Sequence, residues 1–202
     1  MLSRVSENIA YKFVQRKIIK FDDLEIYQYG INMLLTGIID FISILFIGIL
    51  WGSLIECICF VTMFIPLRQY AGGYHASTPK KCYISTLLMI FIVLSAIDNI
   101  HLDIYILWGL LGAFGAVFLI LSPVEAVNKP LDDVEKRIYK KKAIVIWCVE
   151  LCAAVICTFV GIERLFECTV MAHAVIAVTL ILGKIQGYRN KMLNCFGKQR
   201  KR

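Results

Sequence analysis

A histidine, a pair of glycines and a cysteine lie close together in one short polar stretch of this chain. The stretch reads Arg68-Gln-Tyr-Ala-Gly-Gly-Tyr-His75, and Cys82 follows seven residues later. A thiol beside an imidazole is a minimal apparatus for attacking a peptide carbonyl, because the imidazole can take the thiol proton and later protonate a leaving amine. Gly72 and Gly73 permit backbone angles that other residues avoid, so His75 can turn back toward a membrane surface. These residues predict a thiol nucleophile.

The sequence after the glycines predicts a helix start that would place the thiol. Thr78 is a favoured N-cap residue and Pro79 suits the first helical position, which puts Cys82 at the fourth position. The positive end of the helix dipole and the adjacent Lys80 and Lys81 favour thiolate over thiol. An alternative stays open, in which Cys82 is a structural thiol and His75 a solvated loop residue.

The apolar residues of the chain lie in blocks that are typical of a membrane protein. Of 202 residues, 59% are hydrophobic, and a bilayer is spanned by about 20 apolar residues. We predict an all-α polytopic membrane protein with about six transmembrane helices. The second and third segments have only 14 and 15 residues, so they could thin the bilayer or form a re-entrant unit around the loop. The six segments are Ile31–Trp51, Leu54–Leu67, Tyr83–Ile97, Ile104–Leu121, Ala143–Val160 and Cys168–Gly183.

The N-terminal segment has the pattern of an amphipathic helix lying in the membrane interface. Apolar residues recur there at helical spacing opposite basic residues. We therefore divide the chain into an N-terminal segment 1–30, a membrane domain 31–183 with a catalytic loop 68–82 and a basic loop 122–142, and a basic tail 184–202. The apolar positions are Leu2, Val5, Ile9 and Phe13, and the basic positions are Arg4, Lys12 and Arg16.

The basic residues predict the orientation in the membrane. Residues 1–30, 68–82, 122–142 and 184–202 hold 21 of the 22 lysines and arginines, and these regions share one side of a six-span arrangement. By the positive-inside rule, both termini and the catalytic loop face the cytoplasm of a bacterial plasma membrane. The net charge of +7 fits contact with membrane lipids. No aromatic-basic platform for nucleic acid is present.

Four ionisable residues fall inside the predicted spans: Asp40, Glu56, Glu150 and His173. Such residues are costly in lipid and should face the protein interior or water. Asp40 or Glu56 could orient His75, as the third member of a catalytic triad does. Interhelical hydrogen bonding is the alternative for each of them. A third interpretation is that the four line a path through a small transporter or peptide exporter without proteolytic activity.

The loop motif resembles the signature of the AgrB family, the accessory gene regulator B peptidases of Gram-positive quorum sensing. The matching residues are Arg68-x-x-Ala71-Gly72-Gly73-x-His75-Ala76 together with Cys82. The second loop is similar as well, with Pro123-Val-Glu-Ala and Lys129-Pro130 before the basic run Lys136–Lys142. Chain length, the multi-span layout and the amphipathic start extend the resemblance over essentially the whole chain.

The resemblance implies particular roles for residues of the two loops. It implies that Cys82 and His75 are the catalytic pair. Arg68 and Gly73 match conserved loop positions, so Arg68 could bind an acidic substrate segment or order the loop by bonding carbonyls. With Gly72, Gly73 would form the turn. Lys129 matches a basic position of the second loop, where it could contact substrate or simply mark the cytoplasmic face.

The resemblance also implies an activity. An AgrB-like endopeptidase would cleave the C-terminal tail from an AgrD-like propeptide through an acyl-enzyme thioester, and an internal nucleophile of the peptide would then close a thiolactone or lactone ring. A homodimer is possible, and a non-catalytic membrane scaffold is a further alternative. The sequence has no P-loop, CxxC pair or zinc motif, so we expect no metal or cofactor. Six further cysteines are predicted to be small buried hydrophobes: Cys57, Cys59, Cys148, Cys152, Cys157 and Cys168.

Overall fold

A computed structural model describes residues 2–74, 76, 78–125 and 131–199, with backbone alone for 191 and 193–199. This part of the chain is helical and contains no β-strand, only an isolated bridge between Gly72 and Val124. The predicted all-α class is confirmed. The helices are α1 Leu2–Gln15, α2 Leu24–Trp51, α3 Leu54–Ala71, α4 Pro79–Asn99, α5 Ile104–Leu121, α6 Asp133–Val160 and α7 Glu163–Gln199, with a short 3-10 turn at Phe21–Asp23 before α2.

Six of these helices, α2 to α7, are long and apolar enough to cross a membrane, which confirms the predicted number of spans. The chain is a multi-pass membrane protein. The second and third segments are longer than predicted, since α3 has 18 residues and α4 has 21. The extra turns come from polar residues at the helix ends, 68–71 and 79–82, which a hydropathy pattern omits. Both are continuous helices, and each is long enough by itself to cross a membrane.

The helices alternate in direction, so the bundle has two ends. We call the end with residues 72–74 and 122–125 the loop end, and the end with the short connections 52–53, 100–103 and 161–162 the turn end. Helix α7 is central and packs against α3, α5 and α6. Its buried side chains run from one end to the other, and they include Phe166, Val170, Ala172, Ile176 and Leu180. The site at the loop end is therefore built around α7.

The N-terminal helix α1 packs against α2 through two small residues. Ser6 and Ala10 are fully buried, whereas Val5, in the predicted apolar stripe, is 43% exposed. The predicted helix is present, and its apolar stripe is left partly uncovered by the protein. This geometry suits a helix whose apolar side faces lipid. The predicted segment boundaries at 30 and 183 fall within helices, because α2 begins at Leu24 and α7 continues to Gln199.

The cysteines differ in part from the prediction. Cys57 and Cys168 are buried, but Cys148 and Cys152 are exposed on the outward face of α6. The prediction was wrong for these two because α6 buries the opposite face, which carries Ala143, Glu150 and Ala154. The lipid-facing side of a membrane helix is apolar, as its protein-facing side is, and either side can hold a cysteine. The pattern of apolar residues within one span therefore does not show which side faces the protein.

An ion-pair network holds the turn end together. Arg164 of α7 donates to Glu56 of α3 at 2.9 Å and to Asp98 of α4 at 3.2 Å. The indole nitrogen of Trp51, at the end of α2, donates to the other oxygen of Asp98 at 2.6 Å. Four spans thus meet through three charged side chains and one indole.

We expect Arg164→Ala to lower the free energy of unfolding by about 1 kcal/mol, because half-exposed ion pairs contribute little individually and Glu56 loses its partner. The Arg164 side chain is 51% exposed and that of Glu56 only 13%. Thermal unfolding of the detergent-solubilised protein measures the effect. Arg189→Ala removes the same side chain from the other end of α7 and should leave the melting temperature unchanged. Equal melting temperatures for the two variants would show that the network adds no stability.

Candidate active site

Cys82 lies in the first turn of α4, where the sequence predicted it. The Thr78 side chain caps the helix by accepting a hydrogen bond from the Lys81 amide at 3.3 Å, and Pro79 occupies the first helical position. The Cys82 amide donates to the Thr78 carbonyl at 3.1 Å. The predicted helix start is confirmed. The Cys82 residue is exposed, so its thiol is open to a second molecule.

Arg68 ties the end of α3 to the loop that follows it. Its two terminal nitrogens donate to the carbonyls of Gly72 and Tyr74. The guanidinium is also within electrostatic range of the Cys82 thiol. A planar guanidinium with several donors can hold two carbonyls at once, which a lysine cannot do with the same geometry. Of the two roles that the sequence left open for Arg68, this geometry corresponds to ordering of the loop.

The two glycines provide both the turn and the room that the loop needs. Gly72 and Gly73 have φ values of +72° and +122°, in the region that disfavours side chains. A Cβ atom on Gly72 would collide with the carbonyl oxygen of Val124, and one on Gly73 would lie 2.9 Å from the Thr179 carbonyl oxygen. The Val124 amide donates to the Ala71 carbonyl at 2.9 Å. The loop after α3 is therefore packed between the segment after α5 and the backbone of α7.

Gly183 of α7 is the part of this site that the sequence reasoning missed. The Tyr74 amide donates to the Thr179 carbonyl at 2.8 Å, so the loop lies directly on the α7 backbone. A Cβ atom on Gly183 would lie 2.5 Å from the Gly73 carbonyl carbon and 2.7 Å from the Tyr74 nitrogen. We call Thr179 and Gly183 the loop seat. The signal in the sequence was a glycine at the end of the apolar part of the last span, because a small residue in a membrane helix lets another backbone approach closely.

Asp40 is the acidic residue that the structure brings to Cys82. The Asp40 carboxylate is within electrostatic range of the thiol. One of its oxygens is buried without a hydrogen-bond partner among the described residues. Nearby, the hydroxyls of Ser43 and Tyr83 lie 3.0 Å apart and join α2 to α4. A carboxylate oxygen without a partner in this position is available to a group that comes to the site.

Glu56, the other acid considered beside His75, is elsewhere in the structure. It pairs with Arg164 at the turn end, 12 residues before Arg68 on the same helix. At a rise of 1.5 Å per residue this is about 18 Å along α3. The structure thus places Asp40, and not Glu56, with Cys82 and Arg68. His75 and Lys129 lie outside the described residues.

Glu150 and His173 form a separate buried pair between α6 and α7. The His173 Nδ1 lies 2.8 Å from the Thr169 carbonyl oxygen. Its Nε2 lies 3.4 Å from a Glu150 carboxylate oxygen, which is ion-pair range but without the alignment of a hydrogen bond. Both side chains face the protein interior, as predicted. Across the described ranges of the chain, no three His, Cys, Asp or Glu side chains are grouped as a metal site would require.

Comparison with known proteins shows the family to which the chain is similar. A family model described as accessory gene regulator B matches residues 6–186. An AgrB-like protein 2 of Clostridium perfringens is 26% identical over 149 residues, which cover 70% of this chain and 70% of the relative. An AgrB-like protein of Listeria monocytogenes is 28% identical over 148 residues, covering 70% and 71%.

The chain is also similar, at lower identity, to a protein named FsrB. The protein FsrB of Enterococcus faecalis is 21% identical over 140 residues, which cover 68% of this chain and 56% of that protein. No solved structure matches the chain. Because the family model extends over most of the sequence, the chain belongs to the AgrB family, which implies a part in processing a quorum-sensing autoinducer peptide.

Proposed function

We propose that this chain is a membrane cysteine endopeptidase in which Cys82 is the nucleophile and His75 the general base. The observation that carries the proposal is the exposed Cys82 thiol in the first turn of α4, beside a loop held by Arg68 and the loop seat. A reactive cysteine needs access for its substrate and a fixed position relative to its base. His75 follows Tyr74, whose carbonyl accepts from Arg68 and whose amide donates to the Thr179 carbonyl.

Charges of both signs act on the Cys82 thiol. Arg68 favours the negative form of the sulfur, as do the N-terminus of α4 and the adjacent Lys80 and Lys81, whereas partial burial of the thiol disfavours it. Asp40 also disfavours the negative sulfur, but it would stabilise an imidazolium. We therefore assign Asp40, in preference to Glu56, as the acid that orients His75.

The proposed reaction has two acyl transfers. The Cys82 thiolate attacks the scissile carbonyl of the propeptide and forms a carbon–sulfur bond. The carbon–nitrogen bond then breaks, and the leaving amine takes the proton that His75 removed from the thiol. The C-terminal tail departs, and the remainder stays on Cys82 as a thioester.

The second transfer closes the ring. A thiol or hydroxyl within the bound peptide attacks the thioester carbonyl, His75 takes its proton, and Cys82 leaves as the thiolate. For a peptide thiol the exchange of one thioester for another is nearly balanced in energy, so the intermediate needs protection from water until the ring closes. The bound propeptide, lying against the exposed Cys82 at the end of the bundle, would supply such protection by covering the thioester.

The substrate and its side of the membrane follow from the same proposal. We propose an AgrD-like propeptide that approaches the loop end from the cytoplasm, where the positive-inside rule also places both termini. An amphipathic propeptide helix lying on the membrane would be concentrated beside Cys82. The basic residue Lys129 of the second loop is a further candidate for contact with this substrate.

The ionisable residues within the spans do not support the alternative of a transporter. Of the four ionisable residues within the spans, Asp40 is with Cys82, Glu56 is with Arg164 at the turn end, and Glu150 is buried against His173. A transport path would be lined by such residues in one continuous cavity. The four residues lie in three separate parts of the bundle, so they do not line one path.

A propeptide that cannot cyclise tests the proposal directly. In this propeptide the internal nucleophile is replaced by alanine, so the second transfer is blocked. The N-terminal part of the peptide should then stay attached to Cys82 of the wild-type protein as a trapped acyl-enzyme. We expect the intact-protein mass to increase by the mass of the N-terminal fragment, with the adduct on Cys82 and removed by hydroxylamine. His75→Ala should slow adduct formation by about 10²-fold or more. Release of the tail without any adduct, or an adduct rate unchanged in His75→Ala, would contradict the mechanism.

A further inference from the structure

A basic groove lies at the loop end, where α6 begins beside the segment that follows α5. Its volume is about 530 Å³, and it is open to the outside. Four basic residues of the first three turns of α6 contribute to its lining: Lys136, Arg137, Lys140 and Lys141. The lining surface is almost wholly apolar, so these residues line the groove with the methylene groups of their side chains. Four positive charges so close together at the start of one helix are unfavourable unless anionic groups compensate them.

Two of the four cations already have partners within the protein. The Lys136 ammonium pairs with Glu125 at 2.7 Å. The Lys140 ammonium donates to the carbonyls of Leu119 and Ser122 at 2.5 and 2.9 Å, where it closes the C-terminal end of α5. These contacts fix one wall of the groove and fasten α6 to the segment after α5.

The other two cations have no such partner. Arg137 and Lys141 are exposed and make no hydrogen bond or ion pair with any of the described residues. They lie four residues apart and so project from the same face of α6. One guanidinium and one ammonium beside the groove are therefore available to a ligand from outside.

The same face of α6 becomes apolar within the next turn. Ile144 and Val145 line the other part of the groove, and Val145 is 55% exposed. From Arg137 to Val145 the helix rises about 12 Å. Since α6 is a membrane span, this face passes from charged to apolar where a bilayer passes from headgroups to acyl chains.

We propose that this groove binds one anionic phospholipid. Arg137 and Lys141 hold the phosphodiester, and the first part of an acyl chain lies along Ile144 and Val145. Basic pockets beside transmembrane helices are suited to anionic headgroups by charge and by depth. An acidic peptide would satisfy the two cations but would leave the apolar half of the groove uncovered, so the lipid fits the whole groove better.

The bound lipid would act on the segment next to the candidate active site. Lys136 and Lys140 fasten α6 to residues 119–125, and Val124 in this segment contacts Ala71 and Gly72. The lipid would thus brace the wall against which the loop after α3 is packed. This inference concerns binding and does not rest on the proposed peptidase reaction.

Native mass spectrometry of the full-length protein in non-ionic detergent tests the inference. The protein is titrated with phosphatidylglycerol and, separately, with phosphatidylcholine of the same chain length. We expect wild type to retain phosphatidylglycerol in preference to phosphatidylcholine. Arg137→Gln with Lys141→Gln should weaken phosphatidylglycerol binding by about tenfold or more, since each basic residue near a membrane contributes about fivefold.

The matched control is Lys184→Gln with Arg189→Gln, which removes the same two charges from exposed positions on α7. It should bind phosphatidylglycerol as wild type does. Equal losses in the two double variants, or equal retention of the two lipids by wild type, would overturn the proposal. A short polyglutamate peptide provides a further arm. If the Arg137/Lys141 variant loses this peptide but keeps phosphatidylglycerol, the groove is a peptide site and the lipid proposal fails.

Discussion

Cys82→Ala is expected to abolish release of the propeptide tail, with a loss of at least about 10³-fold in the rate of processing. The reason is that no other group at the site can form the acyl intermediate. Thr78, Lys80 and Lys81 lie within one turn of Cys82 on α4, and none of them offers a thiolate. Co-expression with the propeptide, followed by mass spectrometry of the cell extract and medium, measures the tail and the processed peptide.

The chain supplies its own control for this substitution. Cys148 is also exposed, but it lies on the outward face of α6, away from the loop seat. Cys148→Ala removes an exposed thiol from a different helix and should process the propeptide at the wild-type rate. Cys82→Ser should be as inactive as Cys82→Ala, because a hydroxyl is not ionised where a thiol can be. Normal processing by Cys82→Ala, with protein levels equal to wild type, would exclude the proposed nucleophile.

Alkylation provides an independent measurement of the same thiol. A membrane-impermeant maleimide should modify Cys82 faster than Cys148, because Cys82 is exposed at the end of the bundle and Cys148 faces outward from the middle of a span. The assay also reports the orientation, since labelling from the inner face alone corresponds to a cytoplasmic loop end.

The features that the sequence predicts correctly are those decided by nearby residues. The number of spans follows from the apolar blocks, and the start of α4 follows from Thr78 and Pro79, because capping is a matter of a few adjacent backbone groups. The left-handed turn at Gly72 and Gly73 follows from the absence of a side chain. Each of these depends on interactions within a few residues of the chain.

The features that the sequence does not predict depend on residues far apart in the chain. Asp40 and Glu56 are equivalent candidates by position, and only the packing of α2 against α4 distinguishes the acid near Cys82 from the acid paired with Arg164. The loop seat joins Tyr74 to Thr179 across more than a hundred residues. The exposed faces of Cys148 and Cys152 depend in the same way on which side of α6 meets α7.

Arg68 has one feature that the sequence predicts and one that only the structure gives. Its position before the glycines is a property of the sequence, and two roles were compatible with it. The structure gives its guanidinium two carbonyl partners in the loop, one for each terminal nitrogen. An arginine engaged in this way stiffens the chain that leads to His75, and its charge still acts on Cys82. The same side chain can therefore position the loop and favour the thiolate.

Gly183→Ala is expected to reduce processing by about 10²-fold while leaving the bundle folded. The new Cβ atom would lie 2.5 Å from the Gly73 carbonyl carbon, so the loop has to move away from α7 by roughly 1 Å. A displacement of about 1 Å between reacting groups can cost about 10²-fold in rate. The loop carries His75, whereas Cys82 belongs to α4, so the shift changes the distance between base and nucleophile. The rate of tail release from the co-expressed propeptide measures this loss.

Gly187→Ala is the matched control, because it lies one turn further along α7 and a Cβ atom there would meet nothing within 4 Å. Both substitutions replace glycine by alanine in the same helix, so the gain of about 0.5–1 kcal/mol in helix propensity is common to them. The difference in processing between the two variants therefore isolates the contact with the loop. The melting temperature of Gly183→Ala should be close to that of Gly187→Ala, because only a surface loop is displaced. If both variants process the propeptide equally, the loop does not need its seat on α7, and the position of His75 must be fixed by other contacts.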